Sequence, residues 1–177
     1  MREGDSIEIF TPVSIETIGK LKVGDTIYIS GKILCGRDAV LPRLVERIEN
    51  GTADELKDEL AGGVMFHTAV SPAGVGPTSS NKLEIESSIE PLSKAGVRIH
   101  LGKGRIKGET VEALCSNDSV YAVIPPVTAL LMDRTREQKL LAFPELGMEA
   151  LYTLKVEKYP AVIAAAHGKS IYEDFDA

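Results

Sequence analysis

Apolar and polar positions alternate over residues 7–10, and again over 26–32 (TIYISGK) beyond the turn signal Val23-Gly24-Asp25, so the chain opens as β-strands. From Asp38 the period lengthens. Val40, Leu41, Leu44, Val45 and Ile48 recur at three and four residues, the apolar face of a helix. Pro42 falls in its first turn, where a missing N–H costs nothing, and Asn50-Gly51 ends it. Residues 52–60 predict a short helix and 64–68 a buried strand. That strand breaks into residues 71–80 (SPAGVGPTSS), whose two glycines, two prolines and four hydroxyl residues predict a functional loop. Ser79-Ser80 can cap a helix running to about Ala95, with Leu83, Ile85, Ile89 and Leu92 inward. Residues 97–101 read as a strand, Gly102-Lys103-Gly104 as a tight turn, 108–114 as a helix and 119–124 as a strand stopped by Pro125-Pro126. A helix over 128–134 and strands over 152–156 and 161–166 finish the chain.

Strand, helix, strand, helix, strand through the middle predicts an α/β unit with a partly parallel sheet. The flanking strands predict a second, barrel-like or mixed sheet beside it. At 177 residues the whole chain, 1–177, reads as a single domain. Such a domain buries roughly 70% of its unfolded surface and needs no staple.

Composition narrows the function. Lys plus Arg is 20 against 26 for Asp plus Glu, and this net charge of -6 argues against a nucleic-acid partner. Aromatic residues at 5%, with no Trp, leave no base-stacking surface. The longest uncharged apolar stretch, 120–132, is too short for a membrane span and carries two prolines. Residues 1–10 lack the apolar core of a signal peptide. Cys35 and Cys115 are far apart and form no Cys-x-x-Cys pair, so they predict buried free thiols in a reducing cytoplasm; a lone disulfide stays open. No metal or cluster site follows from them.

Three predicted loops stand at strand carboxyl ends, where ligands bind in open α/β sheets. They are Cys35-Gly36-Arg37-Asp38, then Gly76-Pro77-Thr78-Ser79-Ser80-Asn81-Lys82, then Leu101-Gly102-Lys103-Gly104. Each offers a cation, and the first two precede helices whose N–H groups favour an anion. Phosphate motifs fail: Val97 stands where a P-loop needs glycine, and Gly104 where it needs a hydroxyl. His67, His100 and His167 are scattered, and His100, in an apolar strand, reads as a structural, hydrogen-bonded ring.

Taken together, SGK-x-x-x-GRD, GVGPTSS-x-K, GKG and ELGMEA, in that order over about 4–172, resemble the C-terminal domain of class I iron–sulfur fumarases. The same module is the β-subunit of two-subunit fumarases and L-tartrate dehydratases. The resemblance implies a swivelling β/β/α fold and half of a hydro-lyase, with no cofactor bound by this chain and a 4Fe–4S cluster held by a separate α-subunit. It implies that Arg37 holds one substrate carboxylate, Thr78 transfers a proton, and Lys82, Lys103 and Ser79 bind a small dicarboxylate. Three positions depart from the family pattern: Leu41 replaces a His, Lys82 an Arg, and Pro125-Pro126 a Gly-Gly pair. The expected reaction is fumarate hydration, with tartrate dehydration as the alternative. A non-catalytic sensor of an anionic metabolite is the reading from another class. Assembly as a homodimer is left open.

Overall fold

Parallel strands that alternate strictly, yet are apolar on both faces, organise this molecule. The computed structural model describes residues 6–71, 74–78, 82–124 and 128–171, with side chains over 6–68, 86–124 and 130–171. In chain order these form β1 (Ser6–Phe10), α1 (Ile15–Lys20), β2 (Thr26–Gly36) and α2 (Leu41–Glu49). A 3-10 turn (Asp54–Leu56) runs into α3 (Lys57–Leu60), followed by β3 (Val64–Ser71), β4 (Gly74–Thr78) and α4 (Lys82–Lys94). Then come β5 (Ile99–Gly102), α5 (Gly108–Ser116), β6 (Val120–Val123), α6 (Thr128–Asp133) and β7 (Thr135–Ala142). A second 3-10 segment (Pro144–Glu149), β8 (Leu151–Ala166) and β9 (Lys169–Ser170) complete it.

Strands β2, β3, β5 and β6 lie side by side and parallel, joined by helical crossovers. The long β8 runs antiparallel to both end strands, β2 and β6, and so closes the mixed sheet into a five-stranded barrel. Alternation then has two apolar targets. Ile33, Val64, Phe66, Ile99, Leu101, Val120 and Ala122 point into the barrel, where they meet Leu154, Val156 and Tyr159 of β8. Their neighbours Leu34, Met65 and Tyr121 face outward and are covered by α2, α4 and α5 through Leu41, Leu44, Leu92, Ile89, Val111 and Leu114. A strand covered on both sides must be apolar at nearly every position, which is why β5 and β6 read as continuous hydrophobic runs. His67 and His100 share the outward, helix-covered register, and both are fully buried.

Several expectations need correction. The two closing strands are one 16-residue strand, β8, because the apparent break is an irregularity within it. Lys158 takes φ 50° there, the register against β2 shifts between Ile29 and Gly31, and the Lys158 N–H donates to Ser30 Oγ at 3.0 Å. Helix α1 is not among the elements the hydrophobic pattern predicts, although Ser14 caps it, its hydroxyl accepting from the Thr17 N–H at 3.1 Å. Strand β7 and the 3-10 segment after it also lie beyond the predicted elements. The predicted loop over 71–80 contains β4, which pairs antiparallel with β3 as a hairpin. The helix read from Asp38 begins at Leu41, with the Arg37 carbonyl accepting from the Leu41 N–H at 3.0 Å. Cys35 is buried as expected, but Cys115 is exposed on α5, and both thiols are free. Leu83 and Ile85 lie outside the described side chains. None of the described helices is long and apolar enough to cross a membrane.

Candidate functional site

The register of the parallel strands fixes which loops share an edge. Gly36 of β2 pairs beside His67 of β3, Phe66 beside Leu101 of β5, and Gly102 beside Val123 of β6. Arg37 and Lys103 therefore leave the sheet at the same carboxyl edge, on either side of β3. Beyond His67, β3 continues past that edge as the hairpin with β4, and Thr68 pairs with Thr78. Lys82 is the first residue of α4, the crossover that leaves the hairpin for β5. The backbone thus gathers Arg37, Thr78, Lys82 and Lys103 at one end of the parallel strands. Ser79 lies outside the described residues, and the orientations of the Thr78 and Lys82 side chains lie outside the described side chains.

Arg37 is not the solvated loop cation that its setting in the sequence implies. Its Nη2 donates to Glu149 Oε1 at 2.6 Å, and the two side chains are only 28% and 32% exposed. Arg37 Nε and Glu149 Oε2 are both buried without a hydrogen-bond partner among the described residues. Glu149 is the fifth residue of the ELGMEA string (145–150), which marks the family resemblance but by itself assigns Glu149 no role. Lys103 is exposed.

The segment that delivers Glu149 is itself pinned. Phe143 enters it at φ 61°, and Gly147, at φ 59° and ψ -125°, reverses the chain in a conformation suited to glycine. The Arg47 guanidinium lies 5.7 Å above the Phe143 ring, and Arg43 Nη1 reaches Glu145 Oε1 at 3.5 Å. Tyr152 donates its hydroxyl to the Gly147 carbonyl at 3.0 Å. Leu146 and Phe143 pack against the cluster that contains Val40, Leu41 and Leu44. Arg37, Arg43 and Arg47 thus fasten one short segment beside the site, and α2 supplies two of the three.

Beneath the same edge lies a buried polar row. His67 Nε2 and His100 Nδ1 are 3.2 Å apart, and His100 Nε2 meets Ser93 Oγ at 2.9 Å. The two rings stack with centroids 5.4 Å apart. His100 is thereby the satisfied structural ring expected, whereas His67 Nδ1 is buried with no partner among the described residues. Burial lowers the His67 pKa to about 4. Burial also holds His100 well below its ordinary value, helped by His67 and Arg98. Both rings are neutral at pH 7.

The chain's own residues do not fit an iron–sulfur cluster. The Cys35 thiol donates to the Thr68 carbonyl at 3.2 Å, and burial pushes its pKa far up, so it stays protonated. Cys115 is remote in sequence and exposed on α5. Among the described residues no three His, Cys, Asp or Glu side chains converge on a point that would hold a metal.

The chain is similar to known proteins along nearly its whole length. A Methanocaldococcus jannaschii chain provisionally named L(+)-tartrate dehydratase subunit beta is 28% identical over 93% of this chain and 90% of its own length. The Escherichia coli L(+)-tartrate dehydratase subunit beta is 27% identical over 91% of this chain and 84% of its own. The aerobic class I fumarate hydratase of Salmonella typhimurium is 26% identical over 91% of this chain, which spans only 30% of that longer enzyme. The family model described as Fumarase C-terminus matches residues 2–175, and the chain belongs to that family.

Proposed function

We propose that this chain is the β-subunit of a two-subunit hydro-lyase that interconverts fumarate and malate, and that it supplies the dicarboxylate-gripping half of the active site. The gathering of Arg37, Thr78, Lys82 and Lys103 at one sheet edge carries the reading. Dehydration removes a proton from the carbon next to a carboxylate, and negative charge then builds on that carboxylate. Fixed cations stabilise this developing charge more than they stabilise the resting substrate, which lowers the barrier. Arg37 holds the carboxylate beside the reacting carbon, Lys82 and Lys103 hold the dicarboxylate from the other loops, and Thr78 transfers the proton. Ser79 contributes a further donor next to Thr78. A 4Fe–4S α-subunit completes the site from outside this chain, in keeping with a chain whose own residues do not fit a cluster. A cytoplasmic setting suits a cluster that oxygen and oxidants attack.

Tartrate is the second reading. It is favoured by the two relatives named as tartrate dehydratase β-subunits, which are separate chains of nearly this length. Lys82 in place of Arg also gives up a bidentate fork for a point charge, and so relaxes the demand for one carboxylate geometry.

The test is anaerobic co-expression with a cysteine-bearing α-subunit, followed by turnover of fumarate, malate and tartrate. Activity of the pair, absent from either chain alone, is expected. Robust hydratase activity of this chain by itself, without iron, would refute the division of labour. Binding of dicarboxylates with no turnover by any pair would favour the sensor.

A further inference from the structure

We propose that Glu149 is the positioning residue for Arg37: it fixes the guanidinium at the carboxyl edge of the sheet and so presents its remaining N–H groups to a substrate carboxylate. The inference rests on the hydro-lyase reading for its consequence, but on separate observations for its geometry. Arg37 spends one N–H of Nη2 on Glu149 Oε1, at 2.6 Å, and retains others on a side chain still 28% exposed. A guanidinium offers five donors in a rigid plane, so a single anchoring bond on one corner leaves a face free for a second carboxylate.

The direction of control follows from which partner is better held. Arg37 lies in the irregular link between β2 and α2 and has a long, rotamer-rich side chain. Glu149 lies in a segment fastened at three other points: Phe143 under Arg47, Glu145 on Arg43, and the Gly147 carbonyl on the Tyr152 hydroxyl. Ala150 and Leu151, directly after it, are buried. The carboxylate is the fixed point and the guanidinium is what it fixes. Within this chain the GRD string carries the cation and the ELGMEA string carries its holder.

The pair is also incomplete as it stands. Arg37 Nε and Glu149 Oε2 are both shut off from solvent without partners among the described residues. An unsatisfied buried donor and acceptor on the two halves of one ion pair are costly and call for an explanation. Stability alone would favour a bidentate fork, in which Nε and Nη2 meet both carboxylate oxygens. The single-contact geometry turns the guanidinium away from that fork, which is the arrangement expected if its orientation serves a ligand.

Two measurements test this, one of them independent of activity. In 15N-edited NMR of the full chain, the Arg37 Nε–H, identified by its loss in Arg37→Lys, should exchange slowly in the wild type and in Glu149→Gln. It should exchange fast in Glu149→Ala. In the co-expressed pair, Glu149→Ala should lower kcat/KM on the order of 100-fold, as a misplaced binding group does, mainly through kcat. Glu149→Gln keeps an oxygen for Nη2 and should recover most of the loss. Unchanged Nε–H exchange in Glu149→Ala would overturn the proposal, and so would equal loss of kcat/KM in the Ala and Gln variants, because Glu149 would then act through its charge. If Glu149→Ala does not fold, Glu149→Gln with near-wild-type kinetics supports the proposal and a Gln variant as impaired as Arg37→Lys refutes it. Should the exchange result hold while no pair turns over a dicarboxylate, the positioning role stands and the hydro-lyase reading falls.

Discussion

His67 and His100 are two buried rings whose neutrality is a condition of the fold. Both pKa values lie below the ordinary value near 6.5, that of His67 at about 4. As the pH falls below about 6.5, the unfolded chain takes up protons that the folded chain refuses, so stability present above that pH is lost toward pH 4. Each ring contributes a slope of up to about 1.4 kcal/mol per pH unit in that window. Urea unfolding at pH 7.5 and 5.5 should show the loss, and His67→Gln should flatten the difference while lowering stability at pH 7.5, since His100 Nδ1 loses its partner. An identical pH difference in wild type and variant would place the titration elsewhere. The two site cations should separate in the same assay. Arg37→Ala strips the part-buried Glu149 carboxylate of its partner and should cost about 1–3 kcal/mol. Lys103→Ala removes an exposed charge and should stay within about 0.5 kcal/mol of wild type. Equal costs for the two would mean that the Arg37–Glu149 contact does not persist in solution.

Among the elements, β2 shows most clearly how local chemistry shapes the barrel. It is eleven residues long and pairs with β8 from Thr26 to Cys35, a length it tolerates through the irregularity at Gly31. Gly31 has φ 114°, and a Cβ there would lie 2.3 Å from Thr11 Oγ1. Gly31→Ala should cost about 1–3 kcal/mol in backbone strain, with displacement of the 11–12 link adding to it. A urea midpoint indistinguishable from wild type would show that the link simply moves aside. The sequence carried the middle of the fold well, for a physical reason. Strands β3, β5 and β6 and helices α2, α4 and α5 bury apolar faces at periods of two and of three to four, and burial is what hydrophobic pattern records. It failed where partnership replaces burial. Strand β7 (TREQKLLA) is largely exposed and is a strand because β8 offers it hydrogen bonds. The break in β8 at Lys158 looks like a loop in sequence because its repair, the bond to Ser30, comes from a residue 128 positions away. For the candidate site, Arg37 and Lys103 were legible as loop cations after strands. Glu149 was not, since no spacing in sequence relates it to Arg37, 112 residues earlier.

The molecule as a whole is closed without help. β8 pairs with both ends of the parallel array, so among the barrel strands β2, β3, β5, β6 and β8 every one has two neighbours. The barrel interior and the layer beneath α2, α4 and α5 are filled by the chain's own apolar side chains. Folding that depended on a metal would instead show ligands converging in place of such a core, because binding energy is then folding energy. Cys35, the one buried thiol among the described residues, is committed to the Thr68 carbonyl and kept protonated. The paired histidines are two rings with no third ligand among the described residues. The thermal midpoint of the isolated chain should therefore agree within about 1 °C with and without a chelator, and with and without added ferrous or zinc ions. Circular dichroism melting in the four conditions measures it. A midpoint that rises with metal and falls with chelator would show that the chain folds around an ion, and the cluster would then have to be sought here rather than in a partner.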